Sequence, residues 1–203
     1  LVDKDNAYNE GGDFYCEDCH GEAFGYCEGC NTFFERDKVR LLVFGNSQAR
    51  DFINALETTP QNDSLEILYR DDFYGCVDEV NYDDFVIDLI KNADYVVFGS
   101  APKEKCWHRL KQEWPGRIGN ILILGEKNFG VNVNAVMVTE INNDDFFKVR
   151  QSVLARNTRA EKIFKDNFID MNTLIGVSNS EVPILDTSGF LISQDATHLT
   201  PKG

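Results

Sequence analysis

Val39-Arg40-Leu41-Leu42-Val43-Phe44-Gly45-Asn46-Ser47-Gln48 is the stretch that decides the fold. Its first six residues form an apolar run broken only by Arg40. A run without polar alternation marks a strand buried on both faces, as in a parallel sheet. Gly45-Asn46 is a turn signal, and a helix is read from Ala49 to Leu56. Ser47 therefore stands at a helix mouth just beyond the carboxyl end of a strand, where open α/β sheets bind their ligands.

The same alternation continues outward. Strands are expected at Leu65–Tyr69, Tyr95–Phe98, Ile121–Leu124 and, briefly, Phe168–Met171. Helices are expected at Tyr82–Asn92, at Lys103–Glu113 with Pro115-Gly116 as the stop, and at Asp144–Asp166 with Asn143 as N-cap. From Asn172 to Gly203 the chain reads mostly as loop. Strands joined by helices require right-handed crossovers. Residues 38–203 are thus expected to form an α/β domain, a three-layer, doubly wound parallel sheet. Residues 1–37 differ: they are rich in Gly, Asp, Glu and Asn, hold four of the six cysteines and have few aliphatic residues. They cannot build a core alone and are expected to be stapled, metal-bound or docked.

The formal charge of −14 over 203 residues argues against nucleic acid and anionic membrane surfaces as partners. No apolar run approaches the ~20 residues needed to span a bilayer. The chain begins at Leu1 rather than Met, and it stops five residues after His198, where a doubly wound domain would place a final helix. It is therefore expected to be a piece of a larger protein. Gly45-Asn46-Ser47 lacks the Lys of a phosphate-binding loop, which argues against kinase or nucleotide-dependent chemistry.

A serine hydroxyl needs a base to become a nucleophile. Of His20, His108 and His198, only His198 lies in a loop with a carboxylate at the right spacing, in Asp195-Ala196-Thr197-His198-Leu199-Thr200. An Asp-x-x-His turn can accept the imidazole Nδ1–H and leave Nε2 to take a proton. Taken singly, Ser47 reads as a helix cap and Asp195/His198 as a surface pair. Their conjunction points to acyl transfer through a serine ester.

Phe44-Gly45-Asn46-Ser47 resembles the first block of the SGNH (GDSL-like) hydrolases, with Asn46 where Asp is commoner. Asp195-Ala196-Thr197-His198-Leu199-Thr200 resembles the last block. The pair is most similar to SGNH domains attached to membrane acyltransferases that O-acetylate bacterial surface polysaccharides. The resemblance implies a flavodoxin-like sheet and a Ser47-His198-Asp195 mechanism. It implies a carbohydrate or other small ester as substrate, no cofactor for catalysis, and a bacterial periplasmic or membrane-associated setting. A membrane acyltransferase domain elsewhere in the parent protein would fit. The implied oxyanion donors are the Ser47 amide, a glycine mapping to Gly75, and an asparagine. Here the chain departs from the family: Phe98-Gly99-Ser100-Ala101-Pro102 has no Gly-x-Asn. Asn128 is the nearest substitute at the same sheet edge, and it reads equally as an Asn holding a turn. The missing block leaves a second reading open, a non-catalytic carbohydrate-binding or scaffolding module.

Cys16-x2-Cys19 and Cys27-x2-Cys30 can supply four thiolates to one tetrahedral zinc, a closed structural site. In an oxidising compartment the same four would form two disulfides. A zinc-ribbon interaction module carrying an α/β passenger is the third reading. Cys76 and Cys106 could meet as a disulfide or stay as two buried thiols. Tyr69, Phe73, Tyr74, Trp107, Trp114 and Phe129 could stack on a sugar, but core packing explains most of them more simply.

Overall fold

A computed structural model describes residues 33, 37–70, 84–130, 146–193 and 196–200. The chain divides into two compact units. One contains the five-stranded sheet and comprises the described parts of Gly11–Leu124 together with Ile163–Ile169. The other comprises the described parts of Gly125–Lys162 and Asp170–Gly203.

In the sheet unit, β1 (Val39–Phe44) is followed by α1 (Ser47–Glu57), β2 (Leu65–Arg70), α2 (Asp84–Asn92), β3 (Tyr95–Phe98), α3 (Glu104–Glu113) and β4 (Ile121–Leu124). The last sheet strand, Phe168–Ile169, is β6 in chain order. The five strands are all parallel, in the order β2-β1-β3-β4-β6. Numbered along the sheet this is 2-1-3-4-5, the flavodoxin-like doubly wound order. The chain leaves β1 toward one edge and later builds toward the other. Right-handed crossovers then set α1 and α3 on opposite faces.

The expected continuous runs are the sheet's centre. Leu41 to Phe44, Val96 to Phe98 and Ile121, Ile123 and Leu124 are buried. Each such fully buried side chain contributes about 1.5–3 kcal/mol. Phe44 and Phe98 stack across neighbouring strands at 5.7 Å. On α3, Cys106, Trp107 and Leu110 form the buried face, spaced as one helical stripe. Trp107 meets Phe164 edge to face at 5.4 Å. Asn167 Nδ2 donates to Ile118 O and Ile121 O, which holds the lead-in to β6 against the start of β4.

In the second unit, β5 (Phe146–Lys148) precedes α4 (Gln151–Phe164), whose last two residues fall in the sheet unit. Then come α5 (Met171–Leu174) and β7 (Glu181–Pro183). β5 and β7 pair antiparallel. Here the sequence expectation is corrected. The helix begins at Gln151, not after Asn143, because Phe146–Lys148 is extended and hydrogen-bonded to β7. Among the described residues after Asn172 the chain is mostly loop, as expected, with the end of α5 and the short β7 within it. This unit has its own core, with Phe129, Val149, Val153, Val182 and Ile192 buried and Leu199 packed against them. No helix among the described residues is long and apolar enough to cross a membrane.

Candidate active site

Ser47 is the first residue of α1 and is separated from the end of β1 by Gly45 and Asn46 alone. β1 is flanked by β2 and β3, so this loop leaves the sheet where the strand order reverses, the switch point at which such folds bind ligands. Four contacts fix the turn. Asn46 caps α1 by accepting the Gln48 N–H at 3.1 Å. Gly45 N donates to Arg70 O at 3.0 Å, and Tyr69 Oη donates to Gly45 O at 2.8 Å. Gly99 N donates to Phe44 O at 2.7 Å.

Two glycines are required at this point. Gly45 has φ +144°, and a Cβ there would lie 3.2 Å from Gly99 Cα. A Cβ on Gly99 would lie 2.4 Å from Ala49 Cβ and 2.9 Å from its Cα. Gly99 is thus the close-approach residue through which β3 abuts the first turn of α1. The sequence offered Gly99 only as part of a block lacking its asparagine. The sequence reads Tyr69 as a strand residue and one of the aromatics that could stack on a sugar, and nothing local announces its bond to the serine turn.

His198 belongs to the second unit, in the segment that closes the described chain. Thr197 Oγ1 lies 3.1 Å from His198 Nδ1. If Nδ1–H donates to this hydroxyl, Nε2 keeps the lone pair that a general base needs. The surrounding loop is laced together. Ser193 Oγ donates to His198 O, Thr200 Oγ1 to Leu191 O, and Thr200 N to Ile192 O at 2.9 Å. His108 lies elsewhere, on an exposed face of α3, 3.8 Å from Glu104.

Asn128 is also in the second unit and is buried, with 1% of its surface exposed. Its Nδ2 donates to Ala196 O at 3.0 Å. Its Oδ1 accepts from Gly130 N at 3.1 Å and Arg150 N at 3.0 Å. These bonds favour the turn-holding reading of Asn128, since one Nδ2 proton and the carbonyl oxygen already have partners in the protein.

Trp107 and Phe129 are core residues and not sugar platforms. Cys106 is buried and disulfide-bonded. Asp195, Gly75, Cys76, His20, Phe73, Tyr74 and the four cysteines Cys16, Cys19, Cys27 and Cys30 lie outside the described residues.

The sheet order and the serine at its switch point define a doubly wound α/β domain of flavodoxin type. Its fold is similar to that of the periplasmic domain of a lipopolysaccharide acetyltransferase from Salmonella ser. Paratyphi A. The TM-score is 0.57, over 87% of this chain and 82% of that one, at 12% sequence identity. No protein-family model and no curated protein sequence matches the chain.

Proposed function

We propose that this chain is an SGNH-type serine esterase or O-acyltransferase that moves an acyl group, acetyl being the simplest, to or from carbohydrate hydroxyls. One observation carries the reading: Ser47 stands at the switch point of the sheet, on a Gly45 turn that β2 and β3 brace from either side. The acetyltransferase activity named for the structural neighbour supports the same class.

In the proposed reaction, Ser47 Oγ attacks the ester carbonyl and His198 Nε2 takes the hydroxyl proton. Asp195 stabilises the resulting imidazolium. The amides of Ser47 and Gly75 hold the oxyanion, helped by the positive end of α1. The tetrahedral intermediate collapses, the C–O bond to the leaving alcohol breaks, and that alcohol takes the proton from His198. Water or a sugar hydroxyl then attacks the acyl-serine. His198 takes its proton and returns it to Ser47 Oγ.

The disulfide at Cys106 supports an oxidising compartment, and hence disulfides over zinc at Cys16, Cys19, Cys27 and Cys30. Cys76 is the proposed partner of Cys106.

The engagement of Asn128 with Ala196 also supports the alternative of a non-catalytic carbohydrate-binding module, since no other asparagine is proposed for the oxyanion. Release of nitrophenol from an aryl acetate separates the two. The catalytic reading expects turnover that Ser47→Ala abolishes. An inert wild type that still binds oligosaccharide would support the binding module instead.

A further inference from the structure

A chain of buried asparagines runs through the second unit and ends on the loop that carries His198. Asn157 on α4 grips Glu126 from both sides: its Oδ1 accepts the Glu126 N–H at 2.9 Å, and its Nδ2 donates to Glu126 O at 2.7 Å. Asn172 on α5 adds a second donor to Glu126 O at 3.0 Å and accepts the Asn128 N–H at 3.1 Å. Asp170 steadies α5 by accepting from Asn172 N and Thr173 Oγ1. Asn128, held in this way, places its Nδ2 on Ala196 O, and the next amide, Phe129 N, donates to the same oxygen at 2.9 Å. Two donors therefore converge on one carbonyl, that of the residue between Asp195 and Thr197-His198. On the other side of the loop, Ser193 Oγ donates to His198 O.

We infer that Asn128 is a positioning residue for the general base. It fixes the loop that carries His198 by clamping Ala196 O, and it is not an oxyanion donor. The inference rests on the reading of His198 as that base. Asn128, Asn157 and Asn172 are buried, and each bonds backbone groups through both its amide oxygen and its amide nitrogen, with Asn157 Nδ2 reaching Asp170 Oδ1 as well at 3.3 Å. Buried amides of this kind carry the full desolvation cost if a partner is lost, so the arrangement has few alternatives. A loop carrying a base must hold its ring to within a fraction of an ångström, and a displacement of about 1 Å costs on the order of 10²-fold in rate.

The test is Asn128→Asp, which keeps an acceptor for Gly130 N and Arg150 N but turns the donor facing Ala196 O into an oxygen. The rate of covalent labelling by a serine-directed phosphonate is followed against pH for wild type and variant. At pH 8 the variant should label about 10- to 100-fold more slowly at saturating probe, with half-saturation unchanged. Their ratio should climb back toward one as the pH falls, because the protonated carboxyl can again donate to Ala196 O. A variant that labels at the wild-type rate at pH 8, or that is slowed equally at every pH, overturns the inference. Amide exchange of the wild type tests the clamp even if the variant does not fold. Phe129 N–H should exchange at least about 10²-fold more slowly than an unstructured amide, and fast exchange overturns the clamp. A wild type that shows Phe129 protection but takes no label leaves the clamp standing and overturns the catalytic reading.

Discussion

Gly99 and Ala49 meet so closely that a Cβ on Gly99 would fall 2.4 Å from the Ala49 methyl. This contact joins the end of β3 to the first turn of α1 and so sets where Ser47 stands. Gly99→Ala is expected to destabilise the protein by about 1–3 kcal/mol, as overpacking does. Ala49→Gly should restore part of the loss, because Ala49 Cα at 2.9 Å remains in the way. Denaturant midpoints of the two single variants and the double variant measure this. Additive losses would show that the two residues are not coupled.

The parts of the fold that were legible in the sequence are those whose signal is local. β3, β4 and, apart from Arg40, β1 read as continuous apolar runs, and their centres are buried. Ser47 was legible because a strand, a glycine turn and a helix start occupy consecutive residues. The sequence does not mark the start of α4, because Phe146 and Phe147 fit a helical face as well as a strand. What decides for the strand is β7, a partner distant in sequence. Three- and four-residue elements such as β7 and α5 carry too little period to be seen. The same holds for the site. Three of the partners of Asn128 lie 22, 44 and 68 residues away, so the sequence shows an asparagine near a turn but not what it holds.

Arg40 and Asp94 form a forked pair, with Nε to Oδ2 at 3.2 Å and Nη2 to Oδ1 at 3.0 Å, and Arg40 N also donates to Oδ2. The Arg40 side-chain and backbone bonds hold the Asp94 carboxyl below its ordinary range. Its folded pKa is thus depressed. The stability it adds is present above the unfolded value of about 3.9 and is lost as pH falls through the lower folded value. Both side chains are about one-third exposed or more, so the contribution should stay under about 1 kcal/mol. Asp94→Asn should flatten the acid limb of stability against pH. An unchanged slope between about pH 5 and pH 2 would contradict this.

Cys106 should resist alkylation until the protein is reduced, and reduction should lower stability by about 2–4 kcal/mol. Peptide mapping without reductant should find it joined to Cys76. The same map should show Cys16, Cys19, Cys27 and Cys30 joined among themselves, with no zinc in the native mass. Zinc that a chelator removes, with loss of structure, would contradict the proposed compartment.

The acyl-serine is tested most directly by locating a phosphonate adduct in the labelled protein. A single adduct is predicted on Ser47. It should be absent in Ser47→Ala and form at least about 10²-fold more slowly in His198→Ala. An adduct on another residue, or labelling of Ser47→Ala at the wild-type rate, would contradict the assignment of Ser47 as nucleophile.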